Sequence, residues 1–153
     1  MDDDELALAV GRIVVTAAWV DEVCADLAVE FQRERGSVRR KYTAGASGRQ
    51  LAGELRDSGA EAWAEEYRAL FERRNAVVHG RWYQDGEDGQ LQSHRSLLRA
   101  TWAGAADVTR WDEASLVRLA ADLEDFFVRA RSELFNKTGI STWLDRRRPP
   151  SNN

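Results

Sequence analysis

DELALAVGRIVVTAAWVDEVCADLAVEFQRE, Asp4 to Glu34, sets the fold class. Leu6, Val10, Ile13, Ala17, Val20, Cys24, Leu27 and Phe31 recur in steps of three and four, the spacing that lines one face of an α-helix. Polar Arg12, Asp21, Glu22, Asp26 and Glu30 break in elsewhere, yet Val14, Val15 and Trp19 add apolar character to the opposite side. A long helix with more than one covered face is expected, as in a bundle interior or a subunit interface.

Outward from that helix, RERGSVRRKYTAGASGRQ changes character: Gly36, Gly45 and Gly48 interrupt any period, and Arg33, Arg35, Arg39, Arg40 and Lys41 concentrate positive charge. It reads as a connection, either a solvated loop or a phosphate-backbone contact in which Arg39, Arg40, Lys41 and Tyr42 bind RNA, the tyrosine stacking on a base. A short helix is expected from Gly48 to Asp57 through Leu51 and Leu55. Ser58 with Glu61 predicts a capping box that opens the next helix, which carries Trp63, Tyr67, Leu70, Phe71, Val77 and Val78 and reaches His79. Gly80 is placed to end it in the left-handed conformation.

Between Gly80 and Trp111 the helical period is lost. RWYQDGEDGQLQS predicts a small hairpin or ordered loop around DGEDG, LLRATWAG a further extended piece, and Trp102 and Trp111 anchors for this excursion. Asp112 caps a last long helix, Glu113 to Asn136, buried through Leu116, Leu119, Leu123, Phe126, Phe127 and Leu134 and ended by Gly139. In the tail, Trp143 is expected to dock, and Arg146, Arg147 and Arg148 precede two prolines. The expected architecture is all-α: an up-and-down bundle of long helices with one short helix and a small hairpin or ordered loop before the last. Residues 1–145 form the single domain and 146–153 a basic, proline-containing tail.

A chain of 153 residues, 43% of them hydrophobic, suits one domain with a real core. The acidic start at Asp2, Asp3, Asp4 and Glu5 does not resemble a secretory leader, and the apolar runs are too short to span a bilayer, so a cytoplasmic protein with no membrane partner is expected. Net charge of −4 excludes a surface uniformly attractive to nucleic acid while allowing a local basic groove. The single cysteine, Cys24, excludes an intrachain disulfide and reads as core. Cys24, His79 and His94 have no recognised ligand spacing, so no metal and no cofactor are expected.

The segment ERRNAVVHGRW, Glu72 to Trp82, carries the chemistry. Asn75 and His79 are one helical turn apart on a shared face, with Arg74 displaced around the axis. Histidine exchanges protons near neutral pH and can take one from a ribose 2′-hydroxyl or give one to a 5′-oxygen leaving group. Arginine offers a planar fork of donors for the scissile phosphate, and Asn75 can orient the histidine or the substrate. Attack by the 2′-hydroxyl leaves a 2′,3′-cyclic phosphate, needs no metal and spares DNA. The same residues also admit a structural role, His79 interacting with the helix terminus and Arg74 with an acidic neighbour. Glu22 and Asp26, one turn apart, can orient His79 or simply face solvent, and His94 can contact substrate or lie on the surface.

RNAVVHG, with a long helical hairpin before it and a long helix after it, resembles the HEPN superfamily (higher eukaryotes and prokaryotes nucleotide-binding), whose signature of arginine, polar residue and histidine corresponds to Arg74, Asn75 and His79. The resemblance covers most of the length. It implies an all-α homodimer with two signature segments across a cleft, and metal-independent endoribonuclease activity in toxin–antitoxin, phage-defence or RNA-processing settings, with an antitoxin or regulator as further partner. Arg81, grouped with the RNA-binding residues, stands where toxins neutralised by a nucleotidyltransferase-like antitoxin carry tyrosine, which argues against that partner. Members without catalysis imply the alternative: a non-catalytic dimer that binds RNA or nucleotide or serves as an accessory subunit.

Overall fold

Thirty-two residues, Asp3–Glu34, form helix α1 of a computed structural model that describes residues 2–36, 45–84, 91–96 and 106–139. The fold class is all-α and of the helical-bundle type. Helices α2 (Gly48–Asp57), α3 (Glu61–Val78) and α4 (Glu113–Thr138) follow, and strands β1 (Arg81–Gln84), β2 (Leu91–Ser96) and β3 (Ala106–Trp111) lie between α3 and α4. The described residues fall into two compact units, one drawn from 1–18 and 68–124, the other from 19–67 and 125–153.

The first unit contains the start of α1, the end of α3, the sheet and the start of α4. Asp2 caps α1: its carboxylate accepts the Glu5 N–H at 2.8 Å while Glu5 returns an acceptor to the Asp2 N–H at 2.9 Å. Arg12 on α1 pairs with Glu124 on α4 at 2.7 Å. Asp112 caps α4 as expected, its Oδ1 accepting the Ser115 N–H at 2.7 Å, and those bonds hold the carboxyl below its ordinary pKa. Ile13, Leu70, Val77, Leu116, Leu119 and Leu123 are buried.

The expected hairpin is present as β1 and β2, paired antiparallel from Arg81 with His94 to Gln84 with Leu91. It belongs to a three-stranded sheet of order β1-β2-β3, the third strand pairing from Leu91 with Trp111 to Ser96 with Ala106. The third strand is Ala106–Trp111; the LLRATWAG stretch expected to be extended, with Trp102, is outside the described residues. The alternation of Val108, Thr109 and Arg110 before Trp111 suits a strand with one covered face, a weaker pattern than a continuous apolar run.

The second unit is centred on Val20, Cys24, Leu27, Leu51, Leu55, Tyr67, Phe126 and Leu134, all buried. Trp63 meets Phe126 edge-on at 5.4 Å, and Phe126 is fully enclosed; its truncation to alanine costs about 3–5 kcal/mol. Arg129 lies over both rings and bonds Glu66 and Asp125. Ser47 offers no side-chain cap to α2; the Tyr67 hydroxyl does, accepting the Gly48 N–H at 2.8 Å and donating to Asp21 Oδ1 at 2.6 Å.

Three local expectations are corrected. Ser58 does not open α3 with a capping box. Its hydroxyl donates to the Leu55 carbonyl at 2.6 Å, and Gly59 (φ +90°) and Ala60 send their N–H groups back to Arg56 and Leu55, closing α2 around a left-handed glycine. Gly80 is not among the glycines with positive φ, whereas Gly139 (φ +68°) does end α4 that way. Val14, Val15 and Trp19 are not covered as in a bundle interior: among the described residues they stay 42%, 51% and 51% exposed, and the expectation of a subunit interface on this face of α1 is not touched by that. Among the described residues no helix is long and apolar enough to cross a membrane.

Candidate functional site

The last turn of α3 carries the sequence-predicted site, in the first unit. Arg74 and Asn75 are brought into direct contact: the guanidinium Nη1 donates to Asn75 Oδ1 at 3.1 Å. The same guanidinium lies 4.6 Å from the centre of the Phe71 ring, one helical turn back, in cation–π geometry. Two neighbours on its own helix thus limit where a long, rotamer-rich side chain can point. Arg73 is directed elsewhere, into an ion pair with Asp122 of α4 at 2.6 Å. Of two adjacent arginines, one ties α3 to α4 and the other is held beside Asn75.

His79 comes directly after α3. Its backbone N–H donates to the Asn75 carbonyl at 3.0 Å, so its backbone still belongs to the helical ladder, while its side chain is exposed. Asn75 therefore serves both partners, its side chain holding Arg74 and its backbone accepting from His79. The asparagine side chain goes to the arginine, a partner other than the histidine or substrate expected for it.

Sequence reasoning missed the residues packed around the end of α3. Trp82, the second residue of β1, turns its indole back and donates Nε1–H to the Val77 carbonyl at 3.1 Å. Val77 is in the last turn of α3, where carbonyls have no intrahelical donor. Gly80 lies between this turn and β2 so closely that a β-carbon on it would stand 2.5 Å from Ser93 Cβ and 2.6 Å from the Ala76 carbonyl oxygen. Space, and not a left-handed backbone, requires glycine here. Ser93 is itself buried, and its Oγ accepts the Trp111 Nε1–H at 2.8 Å. Trp82 and Trp111 have ring centres 6.3 Å apart, so the contacts of Trp111 join strands of the sheet to one another. Adjacency of Trp82 to the RNAVVHG segment was the available sequence signal; Ser93 had none, because cross-strand register is not visible along the chain.

No family model, curated protein or solved structure matches this chain. Of the other predicted residues, Arg39, Arg40, Lys41, Tyr42 and Trp143 lie outside the described residues. Arg81 opens β1 and is paired with His94 in the strand register. Glu22 and Asp26 line a pocket of about 320 Å³ in the second unit, with Trp19, Val23, Phe127, Arg131 and Leu134. Cys24 is buried in the core as expected, and burial, with Asp21 and Glu66 nearby, pushes its thiol pKa up. Among the described residues no group of three or more His, Cys, Asp or Glu is placed to hold a metal ion.

Proposed function

We propose that the chain is a metal-independent endoribonuclease of HEPN type, acting as a homodimer in the cytoplasm, with His79 as the proton-transfer group and Arg74 as the phosphate-binding group. The observation that carries this reading is the arrangement on one helix end: an exposed imidazole one turn from an asparagine whose side chain holds a guanidinium.

In the proposed reaction the 2′-oxygen forms a bond to phosphorus as the bond from phosphorus to the 5′-oxygen breaks. The imidazole of His79 takes the 2′-hydroxyl proton, and the leaving 5′-oxygen gains a proton from imidazolium, of the same site or of the facing copy. Charge accumulating on the phosphate oxygens is met by the Arg74 fork, whose direction Asn75 and Phe71 restrict. The products are a 2′,3′-cyclic phosphate and a free 5′-hydroxyl. A toxin or phage-defence role, with a neutralising partner, is the biological setting that this chemistry fits.

Incubation of the protein with mixed-sequence RNA and the matching DNA in excess EDTA tests the reaction. RNA fragments ending in cyclic phosphate, with DNA left whole, are expected. Fragments ending in 3′-hydroxyl, or equal cutting of DNA, would overturn the mechanism, and binding of RNA without cleavage would favour a non-catalytic dimer.

A further inference from the structure

The exposed His79 stands between two restrained points. On one side the Trp82 indole holds the Val77 carbonyl at 3.1 Å; on the other Gly80 passes Ser93 with no room for a β-carbon between them. Ser93 is opposite Trp82 in the β1–β2 register and opposite Thr109 in the β2–β3 register, so both restraints come from one paired patch of the sheet. Trp111 completes the patch, donating to Ser93 Oγ at 2.8 Å with its ring 6.3 Å from that of Trp82.

Helix ends fray when their last carbonyls lack donors, and a residue there samples many directions. At the end of α3 the fraying motion is opposed twice. Unwinding the last turn breaks the Trp82 bond, and swinging the chain at Gly80 toward β2 meets Ser93 Cβ. An ordinary helix stop needs neither device, since a left-handed glycine suffices, as at Gly59 and Gly139.

We infer that the three-stranded sheet is a clamp on the α3 terminus, in which Trp82 and Ser93 are positioning residues that set the direction of the His79 imidazole. The inference rests on His79 being the proton-transfer group proposed above. It assigns a role to the β-excursion: Trp82 acts through the Val77 carbonyl and Ser93 through Gly80. Proton transfer is sensitive to placement of this kind, a displacement of roughly 1 Å costing on the order of 100-fold in rate.

Four proteins test it: wild type, Trp82→Phe, which keeps a ring and removes the N–H, Ser93→Gly, which removes the β-carbon facing Gly80, and Ser93→Ala. Both Ser93 variants lose the acceptor of Trp111, but only Ser93→Ala keeps the β-carbon; glycine also loosens a strand backbone, so the unfolding midpoint of each variant is measured beside the other readouts. The readouts are the His79 imidazole NMR signals, the hydrogen exchange of the His79 amide, and kcat and KM on RNA. Trp82→Phe and Ser93→Gly are expected to shift the imidazole signals, speed amide exchange and lower kcat by about 10- to 100-fold with KM changed less than about twofold. Ser93→Ala is expected to keep the wild-type imidazole signals and most of kcat. Unchanged His79 signals in folded Trp82→Phe and Ser93→Gly, or an equal change in Ser93→Ala, would overturn the clamp. If wild type cleaves no RNA the ribonuclease reading falls, and the imidazole and exchange readouts still decide the clamp.

Discussion

Arg74 and Asn75 are neighbours in the chain and partners in space: the guanidinium of the first donates to the side-chain carbonyl of the second at 3.1 Å. Consecutive residues on a helix point about 100° apart, so the contact requires both side chains to lean toward one another.

Two substitutions at Asn75 should therefore part company. Asn75→Ala removes the acceptor and lets Arg74 range more widely, lowering kcat/KM on RNA by about 3- to 10-fold, the loss of one orienting hydrogen bond. Asn75→Asp keeps the acceptor but pairs the guanidinium with a negative charge that competes with phosphate, so KM should rise. Steady-state kinetics on one RNA separates the two, and an Asn75→Ala enzyme with wild-type constants would remove Asn75 from the site.

Tyr67 couples the second unit to pH. Burial, and then its bond to Asp21, push its hydroxyl pKa well above the ordinary value near 10. Above about pH 10 the unfolded chain loses that proton while the folded chain keeps it, so this group's contribution falls as pH rises. Tyr67→Phe is expected to cost about 1–3 kcal/mol at neutral pH, because the Gly48 N–H loses its acceptor. The difference between wild type and Tyr67→Phe should shrink in denaturant titrations above pH 10. A constant difference to pH 11 would contradict the raised pKa.

Helix limits were the legible part of the fold, for a local reason. The three-and-four spacing of Leu6 to Phe31, the Gly48–Asp57 segment and the Asp112 cap are all written within a few residues of where they act. What the chain order hid was non-local or many-to-one. Ser58 suits the start of α3 as well as the end of α2, and only the path of Gly59 and Ala60 decides between them. The limit on Gly80 comes from Ser93, thirteen residues away along the chain and across a strand pair that periodicity does not register. At the candidate site, the residue types Arg74, Asn75 and His79 were legible, whereas the Arg74–Asn75 bond and the Trp82 restraint depend on side-chain directions and on a chain reversal that residue order does not carry.

Cys24 reports on opening of the second unit. Its thiol is inaccessible, and the thiolate is disfavoured by burial and by Asp21 and Glu66. Modification by a thiol reagent should be slow in native buffer and should accelerate in parallel with unfolding as denaturant is added. Rapid stoichiometric labelling of the native protein would contradict the closed core around Cys24.

The most direct test of the proposed mechanism is the rate at which wild type, His79→Ala and Arg74→Ala cleave one RNA in EDTA, with folding of each variant checked by circular dichroism. The mechanism predicts a fall of about 100- to 10,000-fold for His79→Ala and about 100- to 1,000-fold for Arg74→Ala, the ranges typical of a lost general acid–base group and a lost electrostatic stabiliser. Cleavage by a folded His79→Ala protein at the wild-type rate would contradict it.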